Sequence, residues 1–98
     1  MEIIKNVNGN ALTLNVRGRL DTTTAPQLEE AIKESLPGVT DFTLDFDGLE
    51  YVSSAGLRVI LAAQKTMNKQ GSMVLVNVCD DINEVFEITG FSDILTIR

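Results

Sequence analysis

Residues 51–63 read YVSSAGLRVILAA, and they set two adjacent serines between a strand-like run and a strongly apolar helical run. Serine favours the start of a helix because its side-chain oxygen accepts a hydrogen bond from a backbone N–H that would otherwise be unpaired. Ala55 and Gly56 carry almost no side chain, so the backbone of another molecule could come close to the serine hydroxyls. The segment predicts an exposed serine at a helix N-terminus, which is a candidate nucleophile, phosphate acceptor or helix cap.

The composition indicates one small domain spanning residues 1–98. No apolar run approaches the length of a membrane span, and the first residues, MEIIKN, lack the basic and long apolar regions of a secretory signal. The formal net charge of −6 argues against nucleic-acid binding, because phosphate contacts need clustered Lys and Arg. We therefore expect a cytoplasmic protein with no direct membrane contact and no nucleic-acid partner.

The chain contains no histidine and one cysteine, which excludes a Ser-His-Asp triad and a histidine-ligated zinc within it. The serines also lack the Gly-x-Ser-x-Gly and Ser-x-x-Lys spacings of serine nucleophiles, and no glycine-rich phosphate loop occurs. Asp45 and Asp47 lie two apart on a predicted strand and could hold a cation together with Asp21. Carboxylates on the wet face of a strand are more often plain surface, so we predict no catalytic residue, no cofactor and no metal site.

Local signals predict how the first half of the chain folds. Asn8-Gly9 between two apolar runs predicts a hairpin with a type I′ turn, in which both central residues have positive φ. Thr24 and Gln27 match the spacing of a capping box at the start of the first helix. The chain therefore opens with two antiparallel strands followed by a helix.

Hydrophobic periodicity completes an order of β-β-α-β-α-β-α-β. Residues 42–47 alternate as a half-buried strand, and residues 94–97 form a short last strand. Residues 73–76, MVLV, are continuously apolar, which predicts a central strand covered on both faces. Alternating strands and helices predict an α/β fold with a mixed, mostly parallel sheet, and the alternating strands place the helices mainly on one face.

Capping explains only one of the two serine hydroxyls. A phosphate on Ser54 would gain from the free N–H groups and the dipole of a helix N-terminus. It would add a charge of roughly −1.5 to −2, which the fold could accept and a partner docked at the same place could not. We therefore favour a serine that another protein phosphorylates, with a plain helix cap as the alternative.

Over essentially its whole length the chain resembles the STAS domain, and within it the bacterial anti-sigma factor antagonists. The resemblance rests on segments in the family's order and spacing: GRLD at 18–21 with Thr24, Ala25 and Leu28, LD at 44–45, SSAGL at 53–57 and GF at 90–91. It implies a protein that binds a cognate anti-sigma factor, usually a serine kinase, and so releases a sigma factor. Phosphorylation of one serine by that kinase abolishes binding, and a partner serine phosphatase reverses it.

The same resemblance implies the site residues. Aligned on Gly56-Leu57, the phospho-acceptor falls on Ser54, and the family's aspartates near the acceptor fall on Asp21 and Asp45. Two neighbouring positions depart from the family's pattern. Many members have Asp immediately before the acceptor, where this chain has Ser53, and the following position, often Ser or Thr, is Ala55. Ser53 places a second hydroxyl beside the acceptor, and because the alignment selects Ser54, Ser53 is the less favoured candidate for phosphorylation.

Arg58, Ala62 and Lys65, continued by Lys69, fall on one outer row of the serine-bearing helix. Ala62 would let a partner helix approach closely, so this row is the predicted partner-binding surface. The alternative is a solvated helix face that happens to contain an alanine.

Other functions remain open at this point. A STAS module can be a regulatory or scaffold part of a transporter or a sensor assembly, although the short chain argues against a fused transporter segment. A small-molecule-binding domain is a second alternative, which a sizeable apolar pocket beneath the serine helix would support. An enzyme is the third and least favoured, because the necessary bases are missing. We expect a monomer.

Overall fold

The computed structural model describes residues 1–98, which form five strands, three α-helices and one short 3₁₀ helix. The strands are β1 (Glu2–Asn8), β2 (Ala11–Leu20), β3 (Asp41–Asp45), β4 (Leu49–Val52) and β5 (Ser72–Val76). The helices are α1 (Ala25–Ser35), α2 (Ser54–Gln70) and α3 (Asp80–Ile88), and the 3₁₀ helix spans Phe91–Asp93. None of these helices combines the length and the apolar character needed to cross a lipid bilayer.

The strands form one mixed sheet in the order β1-β2-β3-β5, with β4 paired to β2. β1 runs antiparallel to β2, and the other pairings are parallel. This confirms the predicted hairpin and mostly parallel sheet. The hairpin turn differs in detail, because Asn8 pairs with Ala11 and the turn residues are Gly9 and Asn10, of which only Gly9 has positive φ. The turn is therefore not the predicted type I′.

β3 and β4 lie one after the other along the same edge of β2. Ala11–Asn15 of β2 pair with β3, and Gly18–Leu20 pair with β4. The register of the β2–β4 pairing shifts between Gly18 and Arg19, and the Gly18 N–H donates to the Gly48 carbonyl at 2.9 Å. The sequence prediction missed β4, because its burial runs buried, exposed, exposed, buried and does not alternate.

The core lies on one face of the sheet, where the helices pack. Alternate residues of β2 and β3 are buried, namely Leu12, Leu14, Val16, Phe42 and Leu44. Their neighbours on the other face are half-buried or exposed. This arrangement confirms the prediction that the helices cover mainly one face.

The prediction for residues 73–76 was wrong. β5 ends the strand order, with Met73 and Leu75 buried and Val74 and Val76 only half-buried. The predicted last strand is reduced to one parallel bridge between Ile97 and Leu75, since the chain from Phe91 to Asp93 first forms a 3₁₀ helix. β5 is therefore an edge strand that the chain end partly covers.

The backbone passes close to another backbone segment at two places, at Gly71 and at Gly18. Gly71, which ends α2, lies so near Thr40 that a Cβ on Gly71 would be 2.0 Å from the Thr40 carbonyl oxygen. At the other end, a Cβ on Gly18 would lie 3.4 Å from the Cα of Met1. Met1 therefore sits beside the last residues of β2.

Candidate functional site

The two serines lie where β4 ends and α2 begins. Val52, the last residue of β4, pairs with Leu20, the last residue of β2. The Ser53 N–H then donates to the Leu20 carbonyl at 2.8 Å. The serines are therefore presented at the ends of two parallel strands, an edge where ligand and partner sites of α/β sheets commonly occur.

Ser53 caps α2. Its backbone is extended, with φ −94° and ψ 174°, and its Oγ accepts a hydrogen bond from the Gly56 N–H at 3.3 Å. Its carbonyl accepts the first intrahelical bond, from the Leu57 N–H at 2.9 Å. The Ser53 hydroxyl is therefore occupied by a structural role that is typical of serine at this position.

Ser54 is the first residue of α2, and its side chain is exposed. Unlike the Ser53 hydroxyl, the Ser54 hydroxyl forms no hydrogen bond within the protein, and it faces solvent. The N–H groups of Ser54 and Ala55 belong to the first turn of the helix, where backbone donors have no intrahelical partner. An anion on Ser54 would therefore lie beside unpaired N–H groups at the positive end of the helix dipole.

Gly56 has a different role from the one that the sequence suggested. It is buried, and a Cβ on it would lie 2.7 Å from Leu20 Cγ and 3.0 Å from Val52 Cγ2. Its missing side chain therefore lets the first turn of α2 pack directly on the ends of β2 and β4. Of the two small residues, only Ala55, which is half-buried, borders the surface beside Ser54.

Asp21 follows Leu20 and stabilises the turn at residues 22–24 that leads into α1. Its Oδ1 accepts hydrogen bonds from the N–H groups of Thr23 at 3.0 Å and Thr24 at 3.1 Å. The predicted capping box is wrong, because the Thr24 hydroxyl donates to the Arg19 carbonyl at 2.7 Å and makes no cap bond. The register places Asp21 beside Ser53, since each directly follows one member of the Leu20–Val52 pair.

The pKa of the Asp21 carboxyl is lowered from its ordinary value, mainly by the Thr24 N–H and further by Thr23 and the Arg19 charge, while desolvation opposes the shift. Because the folded-state pKa lies below the unfolded one, the ionised carboxylate stabilises the fold above the unfolded pKa. This contribution is lost as the pH falls through the folded-state pKa.

We expect Asp21→Asn, which keeps the acceptor oxygen and removes the charge, to lower the free energy of unfolding at pH 7. The difference from the wild type should shrink as the pH falls through the folded-state pKa of Asp21, because the carboxyl then becomes protonated in both states. Urea unfolding at pH 7 and at a series of lower pH values measures it. A difference that stays constant with pH would show that the charge of Asp21 contributes nothing.

The structure does not place Asp45 beside Ser53 and Ser54, although the alignment with the family on Gly56-Leu57 predicted that it would lie near the acceptor serine. Asp45 pairs with Asn15 on β2, whereas Val52 pairs with Leu20, five residues further along. At about 3.3 Å per residue, the two positions are separated by roughly 16 Å along the strand. Asp45 Oδ1 instead accepts from the Asp47 N–H and from Asn77 Nδ2, both at 3.0 Å.

The possible cation site built from Asp21, Asp45 and Asp47 is likewise not assembled. The structure contains no group of three or more His, Cys, Asp or Glu side chains placed to hold a metal ion.

The predicted partner-binding row on α2 is exposed along its length, at Arg58, Ala62, Lys65 and Lys69. Ser54 lies on the same row, four residues before Arg58. α2 carries three basic and no acidic side chains. The two ion pairs in the structure are Arg19–Asp21 and Lys33–Glu29, so the cations of α2 are unpaired.

A groove of about 290 Å³ runs between α1 and α2. Ile32, Leu36, Val59 and Ala63 supply apolar lining, and Ala62 also borders it. Neither serine lines the groove, and its volume lies just below the range of about 300–1,000 Å³ that is usual for small-molecule sites. The groove borders the serine-bearing helix α2 but does not reach the serines, so it does not connect a small-molecule site to them.

The sequence reasoning missed one feature beside the serines. Arg19 Cζ lies 4.3 Å from the ring centroid of Tyr51, and the two residues pair across β2 and β4. The contact follows from the parallel pairing of β4 with the end of β2. Recognising residues 49–52 as a strand would have been needed to find it.

Comparison with known proteins places this geometry in a family. The STAS domain family model matches residues 2–98. A relative from Listeria monocytogenes, named anti-sigma-B factor antagonist, is 33% identical over 98 residues, which cover 97% of this chain and 85% of that protein.

Two solved structures share the fold. The anti-sigma factor antagonist SpoIIAA in its unphosphorylated form aligns with a TM-score of 0.78 at 19% identity, over 99% of this chain and 87% of that one. The Bacillus cell fate determinant SpoIIAA in its phosphorylated form gives 0.77 at 19% identity, over 99% and 91%. These matches confirm the resemblance read from the sequence: the chain belongs to the STAS domain family.

Proposed function

We propose that this protein is an anti-sigma factor antagonist. It binds a cognate anti-sigma factor serine kinase when unphosphorylated, so that a sigma factor is released, and phosphorylation of Ser54 ends the binding. The observation that carries the proposal is the division of roles between the serines. Ser53 is engaged as the cap of α2, and Ser54 offers a free, exposed hydroxyl at the helix N-terminus.

The location of Ser54 suits a reversible charge. A phosphate there breaks no hydrogen bond of the fold, because the Ser54 hydroxyl makes none. Its charge of roughly −1.5 to −2 lies at the positive end of α2, where anions are favoured. The fold therefore remains intact, and the added charge acts on a partner that docks on the first turn of α2.

The surface that meets the kinase begins at Ser54 and continues along Arg58, Ala62 and Lys65. These residues form an exposed row with unpaired positive charges and one small side chain. A partner surface that carries carboxylates complements this row. A phosphate added at its start would then repel the partner at close range.

In this function the protein is a substrate and a binding partner, and it supplies no catalysis of its own. The kinase provides the base and the ATP site, and a serine phosphatase returns Ser54 to its free form. The protein acts in the cytoplasm as a monomer.

The test is to incubate the protein with ATP and the host's anti-sigma factor serine kinases, and to map the phosphate by fragmentation mass spectrometry. We expect one phosphate, on Ser54, and none in Ser54→Ala. Ser53→Ala is the matched control: it should still be phosphorylated, while losing about 1 kcal/mol of stability with its cap. A phosphate on Ser53 alone would overturn the site assignment, and no phosphorylation by any of these kinases would overturn the function.

A further inference from the structure

Tyr51 is the most exposed aromatic side chain in the protein. Phe42, Phe46 and Phe86 are fully buried and Phe91 is half-buried, whereas Tyr51 is 41% exposed. Exposed aromatic residues next to arginine are typical of the few positions that dominate the energy of protein interfaces.

The guanidinium of Arg19 lies over the Tyr51 ring at 4.3 Å. It donates no hydrogen bond within the protein, and its one charged neighbour is Asp21 Oδ2, 3.9 Å from Nε. Asp21 uses its other oxygen to accept from the Thr23 and Thr24 N–H groups in the turn before α1. The Tyr51 ring therefore supports the Arg19 guanidinium from one side, and the guanidinium N–H donors keep no hydrogen-bond partner within the protein.

This pair lies close to the acceptor serine. Tyr51 precedes Ser53 by two residues, a rise of about 7 Å along the strand. A standard protein interface covers about 800 Å² on each partner, a patch roughly 30 Å across. A kinase that reaches Ser54 with such a patch also covers Tyr51 and Arg19.

We propose that the Arg19–Tyr51 pair is a second contact for the anti-sigma factor kinase, and that Arg19 receives a carboxylate side chain of that kinase. The inference rests on the proposed function. A planar guanidinium whose donors are free matches a carboxylate with two parallel hydrogen bonds, a fit that lysine cannot reproduce. Arg58 follows the serines in the chain and has no ion-pair partner, so an acidic partner surface would complement both Arg19 and Arg58.

The test measures the dissociation constant for the host kinase that phosphorylates the wild-type protein, by isothermal titration calorimetry. We expect Arg19→Glu and Tyr51→Ala each to weaken binding at least about tenfold, as loss of an interface hot spot does. Tyr51→Phe keeps the ring and should bind within about twofold of the wild type. Lys5→Glu makes the same charge change at an exposed lysine without a partner, and it should also leave binding within about twofold.

Thermal unfolding of each variant separates lost contacts from lost folding. The inference is overturned if Arg19→Glu binds the kinase as tightly as Lys5→Glu does. If Arg19→Glu binds normally but Ser54→Asp abolishes binding in the same assay, only the inference about Arg19 and Tyr51 is wrong and the proposed function stands. If Ser54→Asp also binds normally, the proposed function itself is wrong. Concentration-dependent self-association of the wild type that Arg19→Glu removes would also overturn the inference, because the pair would then join two copies of the chain.

Discussion

Ser54→Asp weakens the association with the cognate kinase about a hundredfold or more, whereas Ser54→Ala leaves it within about twofold. A charge placed where an interface must close costs several kcal/mol, and about 3 kcal/mol corresponds to a hundredfold. Ser54 is exposed and makes no hydrogen bond, so removing its hydroxyl leaves no unpaired group. Calorimetric titration of the kinase with each variant measures the two effects.

The folded state tolerates the same carboxylate. An acidic side chain in the first turn of a helix interacts favourably with the helix dipole, and α2 has none there in the wild type. The thermal unfolding midpoint of Ser54→Asp should therefore equal or exceed that of the wild type. If Ser54→Asp loses kinase binding while its stability is undiminished, the loss arises at the interface and not from unfolding.

Ser53→Asp is the matched control, because it places the same charge one residue earlier. Aspartate caps helices as well as serine does, so its carboxylate takes over the bond from the Gly56 N–H. We expect Ser53→Asp to bind within about threefold of the wild type. Equal weakening by the two variants would mean that the site responds to charge in general and that Ser54 is not special.

Gly71→Ala destabilises the fold by about 3 kcal/mol, the upper end of the range for overpacking. The added Cβ would lie 2.0 Å from the Thr40 carbonyl oxygen and 2.7 Å from its carbon. These are backbone atoms, and the same oxygen accepts the Ser72 N–H at 2.9 Å at the start of β5. The strand and the helix must therefore separate for the methyl group to fit.

In a domain of this size, the loss should lower the Tm by more than about 10 °C. Differential scanning calorimetry gives this value directly. Gly56→Ala is the comparison, because its Cβ meets side-chain atoms, Leu20 Cγ at 2.7 Å and Val52 Cγ2 at 3.0 Å, and no backbone atom. We expect it to cost about 2 kcal/mol, the middle of the range for overpacking, since buried side chains shift at a lower cost than backbone atoms bonded into the sheet. If Gly71→Ala proved as stable as Gly56→Ala or more stable, this result would contradict the overlap between the added Cβ and the Thr40 backbone.

The sequence predicted those parts of the fold that local periodicity encodes. The alternating residues of β2 and β3 and the amphipathic helices appear as predicted. β4 was missed because four residues with a non-alternating pattern gain their strand structure from pairing with β2. The apolar run of β5 suggested a central strand, but an edge position depends on strand order, which no local pattern contains.

The candidate site likewise combines features that the local sequence encodes with features that only the strand pairing determines. An exposed serine at a helix start could be predicted from residue type and spacing alone. Which of the two adjacent hydroxyls is occupied depends on where α2 begins, because the residue before the helix, Ser53, has an extended backbone and caps it. The separation of Asp45 from the serines and the contact of Arg19 with Tyr51 both depend on strand register. Register is a long-range property, so the single sequence could not supply either.

The contact of Met1 with Gly18 has a practical consequence for every binding measurement proposed above. An affinity tag fused to the amino terminus would emerge beside the end of β2, within reach of Arg19 and the serines. Arg98 lies instead beside β5, where its N–H donates to the Leu75 carbonyl at 2.9 Å, and β3 separates β5 from β2. Immobilisation through the carboxyl terminus therefore attaches the chain at the β5 edge of the sheet and not beside Gly18, whereas attachment through the amino terminus would mimic a loss of affinity.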